Sequence, residues 1–223
     1  MPVKKHANEK LITRNYNVEL RAADGEEGVI EGTPIVFNQK TRISDWAGEF
    51  DEIITEHALD KCDLKDVRLF VNHDIDKITL ARSRKGNENS TMSFTIDSEG
   101  LHIKAKLDTE NNSEARALYS AVKRGDMDGM SFMFRIRGET WEDQDKDIPT
   151  RIVNDISIVH EVSVVNFPAY PQTTVNARSN SQEGEYSPLA EARKAWTQES
   201  EKQKAEQLEC EKLKYELLLG GKN

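Results

Sequence analysis

The chain has 223 residues, with 31 Lys and Arg against 40 Asp and Glu, so its formal charge is −9. This length predicts one full domain with an appendage, and the negative charge disfavours a nucleic-acid binder, because phosphate contacts require Lys and Arg. The two cysteines, Cys62 and Cys210, exclude a disulfide framework and a paired zinc motif and indicate an intracellular setting. We expect neither a membrane span nor a signal peptide, since the apolar runs that they require do not occur.

Most of the chain alternates between apolar and polar residues, which is typical of β-strands with one solvated face. After a basic, aperiodic arm at residues 1–13, the predicted strands lie at 16–20, 29–37, 67–71, 92–96, 101–107, 130–136 and 156–165. The last of these is the most continuous apolar run and predicts a buried central strand. Residues 97–100 are suited to a hairpin connection, whereas the acidic residues 138–150 predict an exposed loop. Many short strands separated by turns are typical of a barrel or a sandwich.

Two helices are predicted between the strands. Residues 56–62 are a short candidate. Residues 113–124 are a better one, with Ser113 as the N-cap, an apolar stripe along one face and Gly125 at the end.

The composition changes towards the C-terminus. Residues 176–187 are small and polar, as in a linker. Ser187 and Pro188 then supply an N-cap and a first-turn proline, and residues 188–219 are rich in good helix formers, which predicts a long solvated helix. Gln203 interrupts the heptad pattern of this helix, so a self-sufficient coiled coil is not expected.

One histidine and one serine are singled out by their positions. His73 follows the predicted strand at 67–71, and the ends of strands are where reactive groups commonly lie. Ser131 begins a strand beside the small residue Gly129, and it points away from the apolar face that contains Phe132. Considered alone, this pattern fits a serine on a solvated strand face better than a nucleophile, which needs a neutral histidine within hydrogen-bond reach.

Four segments taken together resemble the prohead maturation proteases of tailed double-stranded DNA phages, a family distantly similar to herpesvirus assemblin. They are EFDEIITEHAL (49–59), FVNHD (70–74), GDMDGMSFMF (125–134) and HEVSVVNFPAYPQT (160–173). The similarity spans about residues 14–177, and the order of the segments makes it specific. It implies an α+β fold, mainly an antiparallel β-barrel of the assemblin type with flanking helices and a long C-terminal helix. The expected organisation is a flexible arm, a protease domain, a linker and a helical scaffold-like or docking tail, at 1–13, 14–175, 176–187 and 188–223.

The resemblance also implies a function. It points to a serine endopeptidase that cuts the scaffolding segment of the major capsid protein, and often itself, inside the assembling prohead in the host bacterial cytoplasm. His73 would be the general base, Ser131 the nucleophile and Glu161 the group that orients the imidazole. The implied partners are the capsid protein and its scaffold, and assemblin-like relatives raise a homo-oligomer as a further one. No cofactor, metal ion, nucleic acid or membrane is implied.

The third member of the site has two candidates, Glu161 and His160, because adjacent strand residues face opposite sides. His160 shares its predicted face with apolar residues such as Ile156 and Val162, which is typical of a core histidine. Glu161 is therefore favoured, and a carboxylate in so apolar a strand requires a partner such as an imidazolium.

Other polar residues have simpler interpretations. Asp74 is predicted to be a turn residue or helix cap, Cys62 a half-buried small hydrophobe, and Ser163 a hydrogen-bond partner of Glu161 without catalytic duty. The acidic residues at 143–147 lack the Gly and the distal Glu of a calcium loop.

Two hypotheses about function remain. The first is the endopeptidase, which we expect to trim itself between about Asn176 and Ser187, because exposed polar linkers are where proteolysis concentrates. The alternative is a non-enzymatic capsid-assembly scaffolding protein, in which the tail helix binds shell subunits and the strand domain is inert.

Overall fold

The computed structural model describes residues 11–16, 20–166 and 186–220. The described residues form the predicted α+β fold, which consists mostly of strands and contains two of the three predicted helices. The elements are β1 Leu11–Tyr16, β2 Leu20–Ala22, β3 Val29–Val36, β4 Thr41–Asp45, β5 Gly48–Ile54, β6 Asp66–Val71, β7 Ala81–Arg84, β8 Met92–Ile96, β9 Gly100–Lys106, α1 Ser113–Arg124, β10 Gly129–Glu142, β11 Thr150–Val165 and α2 Pro188–Gly220.

The larger of two sheets is organised around β11. β10 pairs antiparallel with β11 along its length. On the opposite edge, β5 pairs parallel with residues 150–153 of β11, and β6 pairs parallel with residues 161–164. β1 extends this sheet beyond β10, β4 beyond β5, and β7 beyond β6. Because β11 has neighbours on both edges and is largely buried, it accounts for the most apolar run of the sequence.

Residues 56–62 do not form the predicted helix and instead make consecutive turns. Their backbone bonds to β11: the N–H of Ile156 donates to the carbonyl of Ala58, and the N–H of Asp63 donates to the carbonyl of Ser157, both at 2.8 Å. The segment thereby fills the gap between β5 and β6 on the β11 edge. An α-helix would need these backbone groups for its own hydrogen bonds, so pairing with β11 replaces it.

The smaller sheet is antiparallel and has the strand order β2, β3, β9, β8. The predicted hairpin is confirmed, because β8 and β9 pair with Ile96 opposite Leu101. Apolar residues of the two sheets form one core, for example Ile30 and Leu101 with Phe132. The predicted barrel is not confirmed, since the strand pairs among the described residues make two separate sheets and do not close into a ring.

Helix α1 begins and ends close to the predicted residues. The side chain of Asn112, not that of Ser113, is the N-cap and accepts hydrogen bonds from the N–H groups of Glu114 and Ala115. Gly125 ends the helix with φ 75°, a left-handed conformation that suits glycine. The chain then enters β10, which carries Ser131.

Two predicted boundaries are wrong. β1 begins at Leu11, inside the segment predicted to be a flexible arm. The predicted loop at 138–150 is reduced to residues 143–149, because residues 138–142 pair with residues 150–155. In this extension, the ring of Trp141 lies 5.3 Å from that of Phe50.

The long C-terminal helix is confirmed. The hydroxyl of Ser187 accepts a hydrogen bond from the N–H of Ala190 at 2.9 Å, as an N-cap does, and donates to Asp45 at 2.7 Å. Leu189 is buried against Ile43 and Phe50, so the first turn is docked rather than solvated. In the described part of the chain, neither helix has the length and apolarity that a membrane span requires.

Candidate active site

Neighbouring strands place three polar side chains on one face of the larger sheet. Ser131 on β10 lies directly opposite Ser163 on β11, and Glu161 lies two residues from Ser163 along the same strand face. Ser131 and Ser163 have no exposed surface, and Glu161 is 3% exposed. A carboxylate as buried as that of Glu161 needs hydrogen-bond partners.

His73 reaches this face from the end of β6. Val71 on β6 pairs with Val164 on β11. Asn72 and His73 then have positive φ angles of 52° and 59°, which are uncommon outside glycine and turn the chain sharply. The N–H of Asn72 donates to the carbonyl of Val164 at 2.9 Å, and the N–H of His73 donates to the hydroxyl of Ser163 at 3.1 Å. The turn thus fixes the backbone that carries the imidazole.

The imidazole of His73 joins Glu161 to Ser131. Its Nδ1 is hydrogen-bonded to Oε1 of Glu161, and its Nε2 lies 2.5 Å from Oγ of Ser131. A carboxylate at Nδ1 holds the proton on that nitrogen and leaves Nε2 free to accept one. A hydroxyl beside such a nitrogen can be activated as a nucleophile. The structure therefore brings together the three residues that the sequence singles out.

Ser163 is hydrogen-bonded to two of these residues. Its hydroxyl donates to Oε2 of Glu161 at 2.7 Å and accepts from the backbone N–H of His73. The bond to Glu161 is predicted from the sequence and is confirmed. The bond to His73 is not, because it depends on the turn after β6.

The hydroxyl of Ser131 also contacts β1. Its Oγ lies 2.9 Å from the backbone carbonyl oxygen of Arg14, which is a second acceptor for the single hydroxyl proton, and Asn15 is its register partner. The hydroxyl therefore lies between the imidazole and the first strand.

A buried cluster of charges anchors β1 on its other side. Glu52 on β5 has no exposed surface. It accepts hydrogen bonds from Nε and Nη2 of Arg14, at 2.6 and 2.9 Å, and from Nη1 of Arg151 at 3.0 Å. Burial by itself would raise the pKa of Glu52, but the two guanidinium groups, Arg14 foremost, hold it below its ordinary value. The sequence analysis did not find this cluster, whose only sequence signal is a charged residue inside each of three strands.

Comparison with known proteins identifies the family. A sequence model of the caudovirus prohead serine protease matches residues 15–186. The chain belongs to this family. The prohead protease of Enterobacteria phage HK97 is 29% identical over 157 residues, which are 69% of this chain and 61% of that protein. The chain thus spans less than two thirds of the relative that it matches. No solved structure matches the chain significantly.

The predicted resemblance to prohead proteases is confirmed by these matches. The family match includes His73, Ser131 and Glu161. The Pro-Ala-Tyr-Pro turn at 168–171, which also contributed to the resemblance, lies outside the described residues.

His160 is not part of the hydrogen-bonded series of Glu161, His73 and Ser131. Met133 pairs with Glu161 and Phe134 with Val159, so His160 is an extra residue in a β-bulge. The bulge breaks the strict alternation that the sequence analysis assumed. His160 is half-buried rather than a core residue, and it accepts a hydrogen bond from Nε of Arg135 at 3.2 Å.

The remaining candidates lie in ordinary environments. Asp74 is exposed in the turn after β6. Cys62 is half-buried, and burial raises the pKa of its thiol to about 12, so it is not a thiolate nucleophile at neutral pH. Asp143 pairs with Lys146 in the loop between β10 and β11. Within the described ranges, no three His, Cys, Asp or Glu side chains are grouped to hold a metal ion.

Proposed function

We propose that this chain is a serine endopeptidase of prohead maturation in which Ser131 is the nucleophile. The observation that carries the proposal is the imidazole of His73, which is hydrogen-bonded to Glu161 at Nδ1 and to Ser131 at Nε2. Oγ of Ser131 bonds to the peptide carbonyl carbon while His73 takes its proton. His73 then gives the proton to the leaving amine, and water releases the second product from the acyl-enzyme by the same proton transfers.

Glu161 acts through its charge. When His73 accepts the proton it becomes an imidazolium, and a carboxylate bonded to Nδ1 stabilises that cation. The side chain of Glu161 is only 4% exposed, so little water screens the attraction. This favours the transition state over the resting state, in which the imidazole is neutral.

The substrates are inferred from the family. Membership in the caudovirus prohead serine proteases and similarity to the HK97 prohead protease support a capsid protein as substrate. We infer that the chain removes the scaffolding segment of the major capsid protein inside the assembling prohead, in the host bacterium.

Self-cleavage is a second part of the proposal. The predicted window ends at Ser187, but Tyr186 packs against the core and Ser187 is buried. A protease needs an extended and accessible segment, so we place the cut before Tyr186, within residues 176–185. These residues lie outside the described part of the chain.

The alternative, a non-enzymatic capsid-assembly scaffolding protein, has weaker support. The exposed apolar side chains of α2, such as Trp196 and Leu208, fit contact with another protein. A scaffolding role does not explain why His73 is hydrogen-bonded to both Glu161 and Ser131.

Co-expression with the cognate capsid protein tests the proposal. Intact masses of both partners are compared for the wild type, Ser131→Ala and the control Ser157→Ala. Ser157 is also a buried serine of the larger sheet, and its hydroxyl donates to the carbonyl of Arg135. We expect shortened capsid protein with the wild type and Ser157→Ala, and full-length capsid protein with Ser131→Ala. Assembled shells that contain uncut capsid protein with the wild type and with both variants would support the scaffolding alternative.

A further inference from the structure

The proposed nucleophile has no surface accessible to solvent. Oγ of Ser131 lies 2.5 Å from Nε2 of His73 and 2.9 Å from the backbone carbonyl oxygen of Arg14. A scissile carbonyl must approach Oγ within about 3–3.5 Å. The backbone of β1 occupies that space.

We propose that the edge of β10 beside Ser131 is the substrate-binding edge, and that residues Leu11–Tyr16 occupy it as an internal substrate mimic. This inference rests on the proposed function and names the substrate class of the same site: an extended peptide that adds to β10 as a strand. β1 has the form such a peptide would take, since its six residues pair antiparallel with residues 130–135. Backbone hydrogen bonds to a strand edge bind extended peptides of many sequences.

β1 is placed so that it can leave. It is the terminal strand of the larger sheet, and Leu11 at its start is 47% exposed. Its other end leads to β2, which is paired with β3 in the smaller sheet. We expect release to begin at Leu11 and to proceed towards Tyr16, uncovering Ser131 near the end of the process.

The buried charge cluster is compatible with this release. Arg14 anchors β1 through two hydrogen bonds to Glu52, and Ile12 packs into the core. When Arg14 leaves, Glu52 is still paired with Arg151 at 3.0 Å. Glu52 thus keeps a counter-charge, which it shares with Glu139, and it does not become an uncompensated buried ion.

A disulfide that ties β1 to β10 tests the inference. Leu11 and Arg135 are register partners, so L11C/R135C ties the Leu11 end of β1 to β10. Cys210 is exposed and is replaced by serine throughout, whereas Cys62 stays as a protonated thiol. The matched control is S93C/K104C, which joins the register partners Ser93 and Lys104 of β8 and β9 in the smaller sheet.

Cleavage of the cognate capsid protein by the full chain is measured before and after reduction with dithiothreitol. We expect oxidised L11C/R135C to lose cleavage and to regain it on reduction, and S93C/K104C to cleave equally in both states. Equal cleavage by oxidised and reduced L11C/R135C would overturn the inference, while the proposed function would stand.

Hydrogen exchange distinguishes a failure of the inference about β1 from a failure of the proposed function. If the wild type does not cleave, the proposed function fails, and hydrogen exchange of the wild type then tests β1 alone. The backbone amides of β1 are compared with those of β4, the terminal strand at the opposite end of the same sheet. Faster exchange in β1 supports a strand that leaves β10, whereas equal or slower exchange overturns the inference.

Discussion

The hydroxyl of Ser163 donates a hydrogen bond to the carboxylate of Glu161 at 2.7 Å, on the side of the carboxylate away from the imidazole. The same hydroxyl accepts from the backbone N–H of His73 at 3.1 Å. One buried side chain thus holds the proposed acid and the backbone of the proposed base in a fixed relation. Ser163 is a positioning residue in this arrangement, because it acts through its two neighbours.

Replacing Ser163 by alanine should lower kcat with little change in KM. A hydrogen bond to a charged group contributes about 1.5–3 kcal/mol, so we expect a loss of about 10- to 100-fold in kcat/KM. Steady-state cleavage of a capsid-derived peptide measures it. Ser163→Thr, which keeps the hydroxyl, should retain more activity, and Ser157→Ala is the matched control. A loss of stability with unchanged kcat would show a purely structural role.

Glu161→Gln and His160→Gln distinguish the two candidates for the third member of the site. The neutral amide cannot stabilise an imidazolium, so Glu161→Gln should lower kcat by about 10³–10⁴-fold, as expected for the acid of a serine triad. His160 bonds to Arg135 and not to His73, so His160→Gln should change kcat less than about twofold. A greater loss for His160→Gln than for Glu161→Gln would contradict the assignment.

Glu52→Gln should destabilise the fold, because it removes the buried carboxylate to which Arg14 and Arg151 both donate hydrogen bonds. We expect the free energy of unfolding at pH 7 to fall by about 3–5 kcal/mol. Urea unfolding measures it, with Glu49→Gln as the control, since Glu49 lies on the same strand with its side chain 53% exposed. A change of similar size in both variants would argue against a special role for the buried cluster.

Glu52→Gln should also change how the free energy of unfolding depends on pH in the acid range. The pKa of Glu52 is lower in the folded state than its ordinary value of 4.5. Its contribution is therefore complete above that pH and is lost as the pH falls through the lower folded value. The wild type should lose stability in this acid range more steeply than Glu52→Gln. Parallel profiles below pH 4.5 would contradict the depressed pKa.

A cut within residues 176–185 should release α2 from the domain. The docked end buries Leu189 and packs Tyr186 against the core, each contributing at most about 3 kcal/mol. Ser187 and Arg193 add hydrogen bonds to Asp45 and Ala47 of about 0.5–1.5 kcal/mol each. Association of separate molecules costs about 4–15 kcal/mol, so these contacts cannot hold a detached helix at micromolar concentration.

This release can be measured without relying on self-cleavage. A recognition site for an unrelated protease is placed in 176–185 of the Ser131→Ala variant, and size-exclusion chromatography with intact-mass detection follows the cut. The uncut protein is the control. Co-elution of α2 with the domain after cutting would show that docking is stronger than the contacts of Leu189 indicate.

The two cysteines should differ in reactivity. Burial raises the pKa of the Cys62 thiol to about 12, whereas Cys210 is exposed on α2. Because the thiolate is the reactive form, iodoacetamide at pH 8 should add once to the folded protein and twice to the unfolded protein. Peptide mapping should place the single adduct at Cys210. Rapid alkylation of Cys62 in the folded state would reopen its candidacy as a nucleophile.

Elements whose signal lies within one segment were predictable. The alternation at 92–96 and 101–107 gave the correct hairpin, and the cap signals at Ser187 and Gly125 correctly located the ends of two helices. Periodicity and capping depend on neighbours along the chain, which is why they can be recognised without the tertiary structure. His73 and Ser131 stand out by position and Glu161 by its strand face, but their roles come from resemblance to a family, which reports identity and order and not contacts.

The features that the sequence did not predict depend on pairing between segments far apart in the chain. Residues 56–62 form turns beside β11, to which the carbonyl of Ala58 is hydrogen-bonded, and the bulge at His160 interrupts the alternation of β11. The contact between Arg14 and Ser131 joins residues 117 positions apart. A strand's own residues define two faces, but pairing with other strands sets the register and determines which charges become buried. The geometry around Ser131, including its cover by β1, is therefore a property of the folded sheet.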